Sequence, residues 1–268
     1  MWNSLKTVCL ECWKNRYRMF RLAIYDLKAM NHGTFLGGLW NLVNPALQLA
    51  VHWLVFAIGL NIGAQRGGYP YVIWLMVGLI PWIYISEVLF GAMTSIYGFR
   101  GILKNMSFPL AIVPIKNVLT TWMVHFWAMI IVFAIFLLAG YHLGINSLFV
   151  LYYEFCALAF LSAYALIAST ITVLTKDFQK LMSSVIRLLY FISPVVWDQG
   201  HLSEPLRTIL KLNPFAYILD GYRESILYNS GLAINLWQGV YFWIITLILF
   251  IYGCYIHIKF RKQFIDLL

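Results

Sequence analysis

Few residues in this sequence are equipped to do chemistry, and most of them interrupt runs that are otherwise apolar. Cys9-Leu10-Glu11-Cys12 has the spacing of a redox pair or of half a zinc site. No second pair and no nearby His completes either, and both cysteines fall on a helical apolar stripe, so packing is the stronger reading. Cys156 and Cys254 lie within apolar runs and read as small hydrophobes. Glu87, Glu154, His52, His125 and Arg187 also sit inside long apolar segments. A charge at the centre of a membrane helix costs about 2.5–3.5 kcal/mol, so each is either functional or neutralised by a neighbouring helix. Glu87, which follows Pro81, reads equally as a residue facing an internal cavity; for the histidines, satisfaction by a neighbour is the stronger reading. There is no G-x-x-x-x-G-K-[ST] phosphate loop, no H-E-x-x-H and no G-x-S-x-G. Nor is there a close carboxylate pair for metal-dependent transfer or a series of acids for a proton relay. No catalytic residue and no metal ligand is assigned.

The elements that must hold these residues follow from composition. Of 268 residues, 62% are hydrophobic, 18% aromatic and 11% charged. Soluble domains carry about 45–50% apolar and about 25% charged residues, so a soluble domain and a disordered chain are excluded. Four cysteines exclude a disulfide scaffold. The chain reads as an all-α integral membrane protein. Spans of about 20 apolar residues fall near Leu36–Gly63, Tyr71–Tyr97, Ile112–Ala139, Leu148–Thr175, Leu181–Trp197 and Leu236–Ile258, six in all. Six crossings put both termini on one side. The segments there hold 15 of the 19 Lys and Arg residues, leaving Arg66, Arg207, Lys211 and Arg223 opposite. By the positive-inside rule both termini are cytoplasmic, and the net charge of +9 reports topology and not nucleic-acid binding. The N-terminal stretch lacks the apolar core and cleavage site of a signal peptide. The whole chain reads as one domain: a cytoplasmic interfacial helix over 1–33, a six-span bundle over 36–258 and a cytoplasmic tail over 259–268. No repeat of 20–50 residues is visible, so an inverted-repeat carrier gets no support.

Between the spans, four segments stand out. From Leu5 to Met30, Leu5, Val8, Cys9, Cys12, Trp13, Tyr17, Phe20, Ile24 and Leu27 recur at helical spacing, with Lys14, Arg18, Arg21 and Lys28 mostly off that stripe. This predicts one amphipathic helix, lying in the headgroup plane or packed on a partner. Phe99 to Pro109 forms a basic cytoplasmic turn containing Arg100, Ile102 and Lys104, and Lys176 to Lys180 forms a second containing Asp177 and Phe178. The connection Asp198–Asn235 holds two short helical patterns split by Asn213-Pro214; the second carries Asp220, Tyr222, Arg223 and Glu224. Neither is long enough to cross. They read as a re-entrant pair lining a pathway or, equally, as a folded extracellular cap. Aromatic residues crowd the span ends as interfacial belts do, while Trp82 and Tyr84 lie deeper, where they would pack in the core or stack on sugars.

One set of residues in order resembles a known family. Tyr25-Asp26-Leu27-Lys28, Leu36-Gly37-Gly38-Leu39-Trp40, Asn44-Pro45, Gly78-Leu79-Ile80-Pro81-Trp82, Phe108-Pro109 with Pro114, Lys176-Asp177-Phe178, Ser193-Pro194-Val195-Val196-Trp197, Leu212-Asn213-Pro214-Phe215 and Gly221-Tyr222-Arg223 together resemble the membrane subunits of ABC-2 type exporters of polysaccharides and related polymers. Trp53-Leu54-Val55-Phe56 and the stretch from Trp74 to Trp82 look most like the teichoic-acid permeases of Gram-positive bacteria; O-antigen and capsule permeases share the framework. Lys176 stands where many relatives have Arg. The resemblance implies a homodimer in the bacterial cytoplasmic membrane, paired with two copies of a separate ATPase subunit that binds the ATP and Mg. The cargo would be a polymer on a polyprenyl-diphosphate lipid. Phe99, Arg100, Ile102 and Lys104, with Asp177 and Phe178 nearby, would couple to the ATPase. The re-entrant pair with Asn213, Pro214, Tyr222 and Arg223 would shape the outer gate. From position alone, Trp82, Tyr84, Glu87, Arg18 and Arg21 are candidates to line the substrate path, with Arg100 a further candidate for the diphosphate. The basic residues equally fit lipid headgroup binding. A secondary carrier would need its own ion-coupling site, and a membrane transferase an acid/base or metal set.

Overall fold

The structure, a computed structural model, describes residues 1–30, 32–59, 65–103, 108–230 and 236–264. Apolar runs become helices here because a helix satisfies its own backbone, which hydrocarbon cannot do. In chain order these are α1 (Trp2–Lys14), α2 (Arg16–Ala29), α3 (Trp40–Trp53), α4 (Tyr71–Gly98), α5 (Arg100–Leu103), α6 (Ile112–Leu138), α7 (Val150–Leu174), α8 (Asp177–Ile192), α9 (Glu204–Lys211), α10 (Pro214–Ile226) and α11 (Leu236–Phe260). The only strands among the described residues are Gln65–Arg66 and Tyr69–Pro70, an antiparallel pair. Their turn is Gly67-Gly68 with φ of +57° and +85°, the left-handed backbone a two-residue hairpin needs.

Among the described residues, five helical segments are long and apolar enough to cross a membrane: Gly37–Gly59, Tyr71–Gly98, Ile112–Leu138, Ile145–Leu174 and Leu236–Phe260. The chain is a multi-pass membrane protein. Much of the crossing expected over Leu181–Trp197 falls on the 16-residue α8, which by itself is about 24 Å long at about 1.5 Å per residue and does not span a hydrocarbon core of about 30 Å. It stops at Ser193, which takes an extended backbone (φ −79°, ψ 150°). The residue before a proline is pushed out of the helical region, and Pro194 follows.

The helix expected from Leu5 to Met30 is two helices. It breaks at Asn15 (φ −104°, ψ 13°), whose side-chain amide donates to the Glu11 carbonyl at 2.9 Å. Arg16 donates to the Trp13 carbonyl at 2.9 Å. Side-chain bonds to the last turn replace the continuing ladder. The two halves dock separately, α1 on α11 and α2 on α6. The apolar stripe divides as well. Val8, Leu5 and Cys12 pack with Ala111, Leu166 and Cys254, whereas Trp13, Tyr17, Phe20 and Ile24 are exposed beside Arg16 and Arg21, whose guanidinium groups lie over Trp13 (4.8 Å) and Tyr17 (5.8 Å). The packing and interfacial readings each describe part of this surface.

Helix α4 is the central post, buried along most of its length against α6, α7 and α10. Helix α3 is its opposite: it has no buried residue. The long connection forms α9 and α10 on either side of Asn213-Pro214, and the two differ sharply. Helix α9 has no buried residue, while α10 buries Phe215, Ile218, Leu219 and Tyr222 between α4 and α7.

Candidate functional site

The anchoring of α10 uses residues singled out from sequence. Asn213 accepts from the Phe215 amide at 3.0 Å and so caps the helix, while its own amide donates to Ser193 Oγ at 2.8 Å. Pro214 occupies the first helical position, where its missing N–H costs nothing. Arg223, only 4% exposed, donates through Nη1 to the Pro194 carbonyl and through Nη2 to the Val195 carbonyl at 2.6 Å, and lies 3.6 Å from the Trp74 ring centroid. Those carbonyls belong to the segment where α8 ends, so one guanidinium ties α4, α8 and α10 together. Two glycines make room for this. A Cβ on Gly78 would stand 2.0 Å from Arg223 Nη2, and one on Gly221 would stand 2.2 Å from the Tyr153 ring. The separate stretches around Gly78, Ser193, Asn213 and Gly221 are therefore parts of one junction. Burial lowers the Arg223 guanidinium to about 10, still charged at neutral pH, and raises the nearby Asp220 carboxyl to about 7.

From this junction a polar chain runs inward. His125 Nε2 lies 3.1 Å from the Tyr222 hydroxyl and 3.1 Å from Glu154 Oε1. Trp122 donates to Glu154 Oε2 at 2.8 Å, and Tyr84 stacks on His125 with centroids 4.7 Å apart. Glu154 and His125 thus satisfy each other, as buried polar groups must. This pairing joins residues on α6 and α7 and has no signature in chain spacing.

Tyr84 and His125 also border a pocket of about 490 Å³ between α3, α4 and α6, whose wall includes Asn44, Ser86, Glu87 and Asn117. Glu87 is exposed on the flank of α4, about halfway along the helix. Three buried polar atoms of the wall residues have no hydrogen-bond partner: Tyr84 Oη, Asn117 Oδ1 and His125 Nδ1. Of the expected path residues, Tyr84 and Glu87 line this pocket; Trp82 does not. Trp82 is 4% exposed, with its ring against Tyr190 (5.8 Å) and Phe215 (6.1 Å), and serves as core. Arg18 and Arg21 are exposed on α2 and do not line the pocket.

At the other end of α4, Phe99 and Arg100 open the basic turn. Phe99 packs on Phe108 (5.8 Å) beside a cluster of Ile96, Leu110, Val173 and Phe264, and Arg100 is exposed. Lys104 and the side chain of Ile102 lie outside the described residues. Lys116 is buried, ion-paired to Asp26 and 4.7 Å from the Phe99 ring centroid. Sequence reading missed this pair because its members stand 90 residues apart. Tyr97 donates to the Thr172 carbonyl at 3.4 Å, which brings the second turn to the same end of the bundle. There Asp177 is exposed and Phe178 packs on the main core. Glu11 pairs with Arg261 at 2.5 Å, joining α1 to the end of α11. Burial pushes the Cys12 thiol up to about 12, as suits a packing residue better than a reactive one.

The sequence has known relatives. The chain is 28% identical over 229 residues to the O-antigen export system permease protein RfbA of Myxococcus xanthus, covering 83% of this chain and 84% of that protein. The protein of the same description from Klebsiella pneumoniae is 24% identical over 246 residues, with 91% and 92% covered. The polysialic acid transport protein KpsM of Escherichia coli is 21% identical over 204 residues, with 75% and 78% covered. The model of the ABC-2 type transporter family matches residues 17–227, taking in the helices from α2 to α10. With that match extending over most of its length, this chain belongs to the ABC-2 type transporter family.

Proposed function

We propose that this chain is the membrane subunit of an ATP-driven exporter that moves a polysaccharide, carried on a polyprenyl-diphosphate lipid, across the bacterial cytoplasmic membrane. The observation that carries the reading is the pocket beside Glu87. A carboxylate exposed halfway along a central span is costly against lipid, so it faces either water in a pathway or a second copy of the chain. Tyr84, Asn117 and His125 of its wall each keep a buried polar atom with no partner in the chain, and turning toward the pocket would let a passing polyhydroxyl chain or its water satisfy them. In a homodimer α3 and the flank of α4 would enclose the path.

Both termini are cytoplasmic in this reading, as the charge asymmetry requires. Helix α8 with the segment to Trp197 completes a sixth crossing, and α9 and α10 are half-inserted from outside. The Phe99–Arg100 turn and the Asp177–Phe178 turn receive two ATPase subunits, and Arg18 and Arg21 attract the lipid diphosphate at the cytoplasmic rim.

For cargo, the named relatives favour an O-antigen or capsular polysaccharide. The second reading, wall teichoic acid, rests on Trp53–Phe56 and on the stretch from Trp74 to Trp82. In the structure Trp74 lies under Arg223 and Trp82 lies in the core, duties that carry no information on cargo. Purification with the ABC ATPase, followed by ATP turnover in the presence of lipid-linked polysaccharide or lipid-linked teichoic acid, tests both points. A stable complex stimulated by polysaccharide is expected. Failure to form a complex contradicts the exporter reading, and stimulation by teichoic acid alone reverses the cargo assignment.

A further inference from the structure

At the end of the bundle where α4 begins, a second cavity of about 470 Å³ opens between α10, the turn before α9 and the start of α11. No role assigned to the first pocket uses it. Its walls carry both signs, with Asp198, Asp220 and Glu224 set against Arg207, Lys211 and Arg223. Besides Arg223, several of the groups are held by neighbours: Asp198 accepts from the Gly200 amide at 2.9 Å, and Arg207 donates to Glu204 (2.9 Å) and to the Gly200 carbonyl (3.1 Å). Glu224 accepts from the Ser230 hydroxyl.

Two donors of residues lining the cavity have no acceptor. Gln199, 7% exposed, has no partner for Nε2, and Arg223 has none for Nε. Both atoms are closed off from solvent in the free chain; a buried donor without an acceptor forfeits about 1–3 kcal/mol, so each side chain gains by turning to an acceptor brought into the cavity. Tyr228, 42% exposed, adds an aromatic wall.

The chemistry of the lining selects the ligand. A phosphate or diphosphate would meet as many acidic as basic side chains, and two of the three cations are already committed, Arg207 to Glu204 and the Gly200 carbonyl and Arg223 to the Pro194 and Val195 carbonyls. A metal ion finds no cluster of three or more His, Cys, Asp or Glu side chains able to hold it among the described residues. An apolar ligand would strip water from charged and polar side chains on every wall. A neutral polyol fits, because each hydroxyl both donates and accepts, and a few placed polar groups with an aromatic wall fix orientation in a pocket.

We infer that this cavity is a glycosyl-binding site that holds a neutral sugar residue, with Gln199 and Arg223 donating to its hydroxyls, Asp220 and Glu224 accepting from them, and Tyr228 against the ring. The inference deepens the exporter reading and rests on it for its purpose, which is to hold the emerging chain as the next unit enters.

The test is saturation-transfer NMR on the full chain in lipid nanodiscs, with neutral oligosaccharides of mannose, galactose, rhamnose and N-acetylglucosamine, and with inorganic pyrophosphate in parallel. Saturable binding of at least one sugar is expected, weakened about tenfold by Gln199→Ala and by Asp220→Asn in variants that elute as the wild type, since tenfold is about what one good hydrogen bond is worth. No sugar binding, pyrophosphate binding alone, or unchanged affinity in both variants overturns the site. ATP-driven transport by the wild type without sugar binding would overturn this inference and leave the exporter reading standing. Sugar binding without such transport would do the reverse.

Discussion

Arg223 is the residue on which most of the outer junction depends, and its cost explains Gly78. The guanidinium takes two backbone carbonyls that no helix or strand satisfies, and it lies on Trp74. Arg223→Ala would leave both acceptors unpaired at about 1–3 kcal/mol each, and Gly78→Ala would drive its methyl into the same guanidinium. Each single change should lower the thermal unfolding temperature in detergent. In the double variant the Gly78 penalty should largely vanish, because the group it collides with is gone; fully additive losses would contradict the contact. Asp220 offers a pH readout. Burial raises its carboxyl from 3.8 to about 7, against the pull of Arg223 and Lys211. Between about pH 4 and pH 7 the folded chain keeps a proton that the unfolded chain has released, so this group's contribution to stability falls as pH rises through that window. Asp220→Asn should therefore gain on the wild type from pH 5 to pH 8, by about 2–4 °C in unfolding temperature for each kcal/mol released. A constant difference between the two proteins would show that the carboxyl titrates normally. Such residues could be named from sequence, since Gly221-Tyr222-Arg223 and Ser193-Pro194 are recognisable motifs. That they meet could not, because the contacts span 28 and 29 residues and depend on how α10 inserts.

Helices that pack on others were legible to the extent that hydrophobicity alone defines them. Expected spans at Tyr71–Tyr97, Ile112–Ala139 and Leu236–Ile258 match α4, α6 and α11 to within two residues. Helix α8 did not follow, because an apolar run continues through Ser193-Pro194 while the backbone does not. The break at Asn15 was hidden for a similar reason: the stripe keeps its period across it, and only side-chain bonds to Glu11 and Trp13 reveal the end of α1. Helix α2 is held to α6 by the Asp26–Lys116 pair. Asp26→Asn should destabilise the chain, since it leaves a buried ammonium without its counter-charge, and restoring the pair in reverse with Asp26→Lys and Lys116→Asp should recover part of the loss. Equal unfolding temperatures for wild type and Asp26→Asn would rule the pair out as a fastening. The exposed turns at the same end belong to the proposed ATPase contact. Arg100→Glu and Asp177→Lys, both at exposed positions, should reduce recovery of the ATPase on co-purification several-fold while leaving the amount of membrane-inserted chain unchanged. Normal recovery from both would remove these turns from the interface.

Across the whole molecule, the distribution of burial is the leading fact. Helix α4 is enclosed, α3 has no fully buried residue, and a mid-span carboxylate faces outward beside it. A chain that spends so little of α3 on its own core is built to complete itself against something else, and the proposed exporter supplies a second copy and an aqueous path. Composition made the membrane legible. The pocket itself was not legible beyond Tyr84 and Glu87, because Asn44, Asn117 and His125 reach it from α3 and α6. The decisive measurement is the movement of a lipid-linked polysaccharide across proteoliposomes that contain this chain and the ABC ATPase. The account predicts transport that requires ATP, stops when the ATPase cannot hydrolyse it, and falls at least several-fold in Glu87→Gln with the complex intact. Transport that proceeds without the ATPase, or none at all from an intact and ATP-hydrolysing complex, would contradict it.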